Sequence, residues 1–399
     1  MSTIRCAGLA IVASLALAAC GDDSTEPVGA PKNLDVITGD AQTGVVGRTL
    51  INPIEVRVTD TNDEGVAGIE VLFTVTTGGG DFSDATVVTD ELGLAQARWT
   101  LGPTAGFQTA AANVDDPGVN TLLLGATALA DRPAALTITS GDDQEGILGE
   151  AAELQVRVTD QFNNGVRDVT VNWAVTEGDA SLSAASSTTS SSGFAVDTVT
   201  LGQTAGDIEI TAAVSGLPPV TFEALAKAQI TEPIGDEFST SASAGLVPPD
   251  ITRITAWPTQ SVLIVEIEFW DNVVSDVVGG ANVVVGFLDI DLDQNAGTGA
   301  TPKTDIARPG SGSTGMGIER YVDFDTGGTG DFTIYDASAA VVATFTPQFD
   351  GNVLRMAIPL NNLNKDGIVS LAAVVATVAE PTDIAPNDGN ISLGPPPPP

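Results

Sequence analysis

Three aspartates at alternate positions, Asp289, Asp291 and Asp293, are the strongest candidates in this chain for a functional site, because their carboxylates could bind a metal ion together. The residues between them are apolar: Leu288, Ile290 and Leu292. Such alternation is typical of a β-strand with one buried face, so the aspartates are predicted to share the other face. Like charges in that arrangement repel one another unless water or a cation lies between them. Because Ca²⁺ prefers carboxylate and amide oxygens, we predict a calcium site formed by Asp289, Asp291, Asp293 and Asn295.

This site would not be an EF-hand, although three aspartates at alternate positions invite the comparison. The sixth position of the loop is Gln294 where an EF-hand has Gly, and the twelfth is Ala300 where it has Glu. The alternative interpretation is a solvated acidic strand end in a very acidic protein. Further ligands would have to come from more distant carboxylates, for which the candidates are Asp305, Glu319 and Asp323.

The chain contains no histidine, and this excludes several kinds of site. Ser-His-Asp and Cys-His catalysis, imidazole proton transfer and His-containing zinc sites cannot form. We therefore expect neither zinc nor haem as a cofactor. The formal net charge of −37 repels nucleic acid and anionic lipid headgroups, so we expect cations and not nucleic acid as partners.

Two tryptophans are candidate ligand-binding residues. Sugar binding needs exposed aromatic rings, which stack on the apolar faces of pyranose rings, and Trp257 and Trp270 could supply them. Trp270 follows Glu266 and Glu268 at strand spacing and is predicted to share their face. The alternative is that each tryptophan fills a core or an edge.

The elements that must position these residues are β-strands, and the chain begins with two copies of one strand pattern. The sequence VRVTD at 56–60 recurs at 156–160, and a segment with Leu-Gly and Thr-Ala-Gly at 101–106 recurs at 201–206. Both spacings are 100 residues, which indicates a repeated domain. Short alternating runs separated by Gly, Asn and Asp clusters predict an antiparallel sandwich in each copy.

The order of these motifs resembles the bacterial Ig-like domain of group 1, the repeat of invasin- and intimin-type surface proteins. The resemblance covers about residues 31–130 and 132–228, and we place the two domains at 33–130 and 132–228. It implies Ig-like sandwiches held by an apolar core without a disulfide, acting as a stalk or an adhesive module. A linker is predicted at 229–234, before the third domain.

The third domain is predicted at 235–394 and does not repeat this pattern, although its runs also alternate at strand spacing. Its loosely spaced motifs are LDIDLDQN at 288–295, GIERY at 317–321, IPL at 358–360 and DIAPNDG at 383–389. They resemble the DOMON-like or family-9 carbohydrate-binding-like sandwiches of secreted bacterial proteins. The resemblance implies a jelly-roll-like sandwich, with sugar, haem or calcium binding among its relatives. The prolines at 395–399 predict a short disordered tail.

The amino-terminal segment has the pattern of a secretory signal. It contains one basic residue, Arg5, an apolar run at 9–17 and small residues before Cys20. The apolar run is too short to cross a bilayer. The sequence LAAC at 17–20 resembles the lipobox of bacterial lipoproteins; the alternative is an ordinary secretory signal that contains a cysteine.

The lipobox resemblance implies a signal peptide at 1–19, a lipid on Cys20 and a tether at 20–32. The protein would then be exported and lipid-anchored to the cell envelope, at the outer membrane or the cell surface, with the membrane as a partner. Cys6 lies in the segment that would be removed, so the mature protein would hold no disulfide.

We therefore predict an all-β protein with two tandem Ig-like β-sandwiches followed by a larger jelly-roll-like β-sandwich. Its predicted function is adhesion or ligand binding without catalysis, in which the stalk presents a distal domain to a glycan or a surface protein. Two alternatives are a carbohydrate-active exported enzyme and a purely structural spacer. The low aromatic content of 5% argues against the enzyme, because glycan clefts usually need several stacking rings.

Overall fold

The computed structural model describes residues 29–236, 246, 248–308 and 312–395. Regular structure in these residues is almost all β, which confirms the predicted fold class. The predictions for the signal peptide at 1–19, for Cys20 and for the last four prolines lie outside the described residues. No helix in the described ranges has the length and apolar character needed to span a bilayer.

The chain divides after Leu129 into two compact units. The first unit is a sandwich with sheets ordered β1-β3-β7 and β2-β10-β9-β4-β6 and a small sheet of β5 and β8. Its strands are β1 (Asn33–Thr38), β2 (Gln42–Val45), β3 (Ile54–Thr59), β4 (Glu70–Val75), β5 (Gly80–Phe82), β6 (Thr86–Val88), β7 (Leu94–Ala97), β8 (Trp99–Leu101), β9 (Gly106–Val114) and β10 (Leu122–Leu129). The core is apolar and centres on Trp99, whose ring stacks on Phe82 with 5.6 Å between centroids.

The second unit begins with the second copy of this pattern. Its strands are β11 (Ala135–Ser140), β12 (Gln144–Ile147), β13 (Ala151–Thr159), β14 (Thr170–Glu177), β15 (Ala180–Leu182), β16 (Ser186–Thr188), β17 (Phe194–Leu201), β18 (Gly206–Ala213) and β19 (Val220–Thr231). The bulge between Val36 and Thr38 in the first copy recurs between Ile138 and Ser140 in the second. The two repeats therefore share their strand register in detail.

The aspartate that ends each VRVTD motif has a structural role. The Asp60 carboxylate accepts hydrogen bonds from the backbone N–H groups of Asn62 and Glu64, at 2.8 and 3.1 Å. These hydrogen bonds, the first of them foremost, hold the pKa of Asp60 below its ordinary value. Asp160 closes the equivalent turn in the second copy. The motif recurs because each tight turn needs an ionised acceptor for its free amides.

The remainder of the second unit packs two sheets around one large core. Its elements are β20 (Ile251–Pro258), β21 (Val262–Phe269), β22 (Val285–Asp291), α1 (Lys303–Ala307), β23 (Arg320–Asp323), β24 (Phe332–Asp336), β25 (Val341–Phe345), β26 (Gln348–Asp350), β27 (Val353–Pro359), a 3-10 helix (Leu360–Asn362), β28 (Ser370–Ala376), β29 (Pro381–Ala385) and β30 (Ile391–Ser392). One sheet has the order β25-β24-β23-β22-β28-β29, with β30 also paired to β28. The other is part of a nine-stranded sheet that begins in the Ig-like repeat.

Strand β19 joins the two parts of the second unit. Its first half pairs with β18, and its last residues pair with β20, from Ala228 opposite Ala256 to Thr231 opposite Arg253. The predicted linker at 229–234 therefore begins as a strand in the structure. The backbone groups of these residues find partners on β20, and Ala228 is buried in the core of the third domain. One continuous strand thus belongs to both sandwiches.

Candidate functional site

The aspartates singled out in the sequence lie on and after β22. Leu288 and Ile290 on this strand are fully buried in the core, so the aspartates point to the opposite face, as predicted. That face is also covered in part, because α1 and the loop before β23 lie across it. Asp289 is fully buried as a result, and Asp291 is almost so.

Asp289 serves the short helix α1. Its carboxylate accepts hydrogen bonds from the backbone N–H of Lys303 at 3.1 Å, from the N–H of Thr304 at 2.7 Å and from the Thr304 hydroxyl. The first turn of a helix has N–H groups without intrahelical partners, and a carboxylate satisfies them. Burial nevertheless raises the pKa of Asp289, and these hydrogen bonds oppose that effect. Asp289 thus positions α1 and is not grouped with the other two aspartates.

Asp291, Asp293 and Glu319 form the acidic cluster of this face, and one oxygen of each lies within 4.8 Å of the others. Glu319 lies immediately before β23 and was among the more distant candidates. Asp291 accepts hydrogen bonds from the N–H groups of Asp293 and Asn295, at 3.2 and 3.3 Å. These bonds fold the loop after β22 back over the strand end and bring Asp293 beside Asp291.

Asn295 and two glycines shape this loop. The Asn295 side-chain oxygen accepts a hydrogen bond from the N–H of Gly297 at 3.0 Å, which fixes the turn beside the acidic cluster. A Cβ on Gly317 would lie 1.9 Å from the carbonyl oxygen of Thr298. Gly299 has φ +70°, and a Cβ there would lie 2.6 Å from Glu319 Oε1. Only glycine lets the two sides of the loop approach so closely.

The electrostatics of the cluster favour a cation. Burial raises the pKa of Asp291 and of Glu319, and the charges of Asp293 and Asp291 raise that of Glu319 further. Glu319 Oε2 accepts a hydrogen bond from the N–H of Leu292 at 3.0 Å, whereas Oε1 is buried without a hydrogen-bond partner in the described part of the chain. An all-oxygen donor set with one unsatisfied buried oxygen fits a Ca²⁺ ion.

The other two distant candidates are engaged elsewhere. Asp305 accepts a hydrogen bond from the N–H of Thr314 at 2.7 Å and lies 3.9 Å from the Arg308 guanidinium. Asp323 accepts one from the N–H of Asp325 at 3.0 Å. Both carboxylates therefore stabilise local turns.

A second acidic cluster was not found from the sequence. Asp236, Asp250 and Asp383 bring one oxygen each within 4.8 Å of one another. Asp383 is almost fully buried and accepts hydrogen bonds from the N–H groups of Ile251 and Ile384, at 2.6 and 2.7 Å. Burial, with the charges of Asp236 and Asp250 added, raises the pKa of Asp383 to about 7. Only its place in the DIAPNDG motif marked Asp383 in the sequence.

The two candidate tryptophans have different surroundings. Trp257 on β20 is only 6% exposed, with Lys227 Nζ 4.2 Å from its ring centroid and the Arg355 guanidinium at 5.6 Å. Its ring packs under cations and has no free face of the kind that sugar stacking requires. Trp270, just after β21, is 59% exposed and keeps a ring that could stack on a ligand.

Comparison with known proteins bears on the repeats. Residues 149–224 match the family model for the bacterial Ig-like domain (group 1). A search of curated proteins returns no match.

Among solved structures, the Escherichia coli adhesin FdeC is similar at 14% identity, with 90% of this chain and 98% of that chain covered and a TM-score of 0.40. The D0-D1 domain of intimin has 17% identity, coverage of 48% and 98%, and a TM-score of 0.20. A glycosyl hydrolase family 2 member from Bacteroides cellulosilyticus has 18% identity, coverage of 45% and 24%, and a TM-score of 0.23. These distant likenesses identify no activity. The family match confirms the prediction that the second repeat is of the group 1 bacterial Ig-like type.

Proposed function

We propose that this protein is a lipid-anchored surface protein that binds a ligand without catalysis, with its Ig-like repeats acting as a stalk for the third domain. The observation that carries the proposal is strand β19, which the second repeat and the third domain share. A continuous strand leaves no flexible linker between them, so the third domain is held in a fixed direction. Fixed presentation of a domain suits adhesion, because less conformational freedom is lost when a ligand binds.

The two acidic clusters argue against the alternative of a carbohydrate-active enzyme. General acid and base catalysis requires carboxyl oxygens that can reach a substrate. In this protein, carboxylate oxygens of Asp291, Asp383 and Glu319 already accept hydrogen bonds from backbone N–H groups. These carboxylates stabilise strand ends and loops, and the Asp291, Asp293 and Glu319 cluster is proposed as a structural Ca²⁺ site.

We predict that Trp270→Ala reduces glycan binding about two- to tenfold and leaves stability unchanged. The exposed ring of Trp270 supplies stacking area, and one aromatic contact of this kind contributes about 0.5 to 1.5 kcal/mol. Trp257→Ala is the matched control: loss of a buried tryptophan lowers the free energy of unfolding by about 3 to 5 kcal/mol. A glycan array and a hydrolysis assay on the same full chain provide the measurement.

Three results of that experiment are decisive. Binding that depends on Trp270 without turnover supports the proposal. Turnover that one carboxylate substitution abolishes establishes the enzyme alternative, and an array on which the wild-type chain binds nothing removes glycans as the ligand.

Lipid anchoring rests on Cys20, and we predict that Cys20→Ser releases the protein from the membrane fraction. Cells fed a labelled fatty acid should label the wild-type protein and not this variant, since the cysteine thiol is the site of lipid attachment. Cys6→Ser is the control and should behave as wild type. An unlabelled wild-type protein would show that the amino-terminal segment is an ordinary secretory signal.

A further inference from the structure

The outward face of the five-stranded sheet in the first unit carries exposed apolar side chains. On β4, β6, β9 and β10 these are Leu72, Val88, Phe107 and Leu123, of which Phe107 is 69% and Leu123 75% exposed. Glu70, at the start of β4, is the one charged residue in the five strands of this sheet, and it lies on the outward side opposite Val88 of β6. We call the outward side of this five-stranded sheet the neutral face, with Glu70 at its edge. In a chain of net charge −37, a nearly uncharged face with exposed apolar side chains indicates an interaction surface.

The second repeat shows that the fold does not require this face to be apolar. In the first repeat Leu72 pairs with Asn113, and in the second repeat Asn172 pairs with Ala213 at the equivalent position. Likewise, Ala111 pairs with Leu123 in the first repeat, and Thr211 pairs with Thr221 in the second. These registers align four apolar residues of the neutral face with four polar residues of the second repeat. The aligned pairs are Leu72 and Asn172, Val88 and Thr188, Phe107 and Asp207, and Leu123 and Thr221.

Phe107 and Gly125 differ between the repeats as a pair. The Phe107 ring lies across Gly125, where a Cβ would come within 2.4 Å of ring atom Cζ. The aligned residues in the second repeat are Asp207 and Glu223, and both line an acidic groove of about 340 Å³. The first repeat thus gains a flat apolar surface at the position where the second repeat places carboxylates.

We propose that the neutral face is a self-association surface, which packs against the same face of a second copy of this chain. Two chains of net charge −37 repel each other, and they can approach most closely where both surfaces carry the least charge. On the neutral face that charge is Glu70 alone, at the edge of the sheet. A two-fold pairing places the same face of each copy against the other, so that the apolar side chains of both copies can pack together. The acidic groove of the second repeat cannot pair in this way.

The size of the face fits a weak dimer. The five strands of this sheet have 30 residues in all. At about 3.3 Å per residue and about 4.8 Å between strands, they cover on the order of 500 Å². Two such faces bury on the order of 1,000 Å², which is the lower limit for a specific interface. The dimer is therefore expected to dissociate on dilution in the micromolar range.

Sedimentation velocity of the full chain in mild detergent tests the proposal over a wide range of concentrations. The test variant is Phe107→Asp/Leu123→Thr, which introduces residues that the second repeat carries at the aligned positions, so the sandwich should tolerate them. The control is Ile51→Asp, which adds the same charge at a residue that is 85% exposed and lies outside these strands.

The expected result is a concentration-dependent dimer for wild type and Ile51→Asp, and a monomer for the double variant. A wild-type chain that is monomeric at every concentration overturns the proposal. A dimer that persists in the double variant also overturns it.

Discussion

Calcium at about a hundred times its dissociation constant is expected to stabilise the second unit by about 2.7 kcal/mol, a shift of several degrees in melting temperature. The physical reason is the cluster of Asp291, Asp293 and Glu319, whose mutual repulsion and burial destabilise the charged carboxylates. A bound Ca²⁺ ion neutralises the cluster and gives the buried Glu319 Oε1 a partner. The measurement is the melting temperature of the full chain without a metal ion, with Ca²⁺ and with Mg²⁺.

Two variants separate the calcium site from its supporting residues. Asp291→Asn/Glu319→Gln should melt no lower than wild type without calcium, because repulsion is relieved, and should no longer respond to the ion. Asp289→Asn should lower the melting temperature equally with and without Ca²⁺, since Asp289 holds α1. Asp350→Asn, at an exposed position, is the charge control. If the double variant retains the full calcium response, the ion binds elsewhere.

The second unit is also expected to lose stability as pH rises from about 5 to about 7, and Asp383 should account for about 2 to 3 kcal/mol of that loss. The pKa of Asp383 is raised from 3.8 to about 7 in the folded protein. Between these values the folded state keeps a proton that the unfolded chain has released, so each unit of pH increase favours unfolding. Above about pH 8 both states are ionised, and this contribution stops changing.

Burial also raises the pKa values of other carboxylates in the second unit, and these titrate with the same sign: Glu232, Asp289, Asp291, Glu319 and Asp323. Asp383→Asn should therefore reduce the slope of stability against pH without removing it. The asparagine resembles the protonated acid, because it keeps one oxygen for the N–H of Ile251 or Ile384.

Urea unfolding between pH 5 and pH 8, followed by tryptophan fluorescence, measures this slope. Asp388→Asn, at an exposed position in the same motif, provides the matched control. An unchanged slope in Asp383→Asn would show that the carboxylate titrates at its ordinary pKa and that the buried cluster contributes no pH dependence.

Local patterns were enough to predict the strands. Alternation around Leu288 and Ile290 predicted the strand that forms as β22 and the face that its aspartates take, because neighbouring side chains on a strand point in opposite directions. The spacing of 100 residues predicted two sandwiches of the same type, and their registers agree down to one bulge. The alternation depends only on neighbouring residues, and the repeat depends only on the recurrence of short motifs, so neither requires knowledge of tertiary contacts.

The grouping of side chains could not be read in the same way. Spacing along the strand predicted that Asp289 and Asp291 belong to one acidic cluster. In the structure the carboxylate of Asp289 binds α1 instead, and Glu319 is the third member of the cluster with Asp291 and Asp293. Strand spacing placed Trp270 on the face of Glu266 and Glu268, and the ring is 59% exposed. The burial of Trp257 under Lys227 and Arg355 could not be predicted, because those residues are far from it in the sequence.

The all-β class, the repeated sandwich and the absence of histidine chemistry could be inferred from the amino-acid sequence, because each follows from composition, short-range periodicity or a recurring motif. Which carboxylates meet, which tryptophan is buried and how β19 joins two sandwiches became apparent only in the folded chain. Those outcomes depend on contacts between residues far apart in the chain, such as Asp383 with Ile251. These contacts form only when the sheets pack against each other. The burial and the hydrogen-bond partners of a side chain then set its exposure and its pKa, and neither can be inferred from the residue type alone.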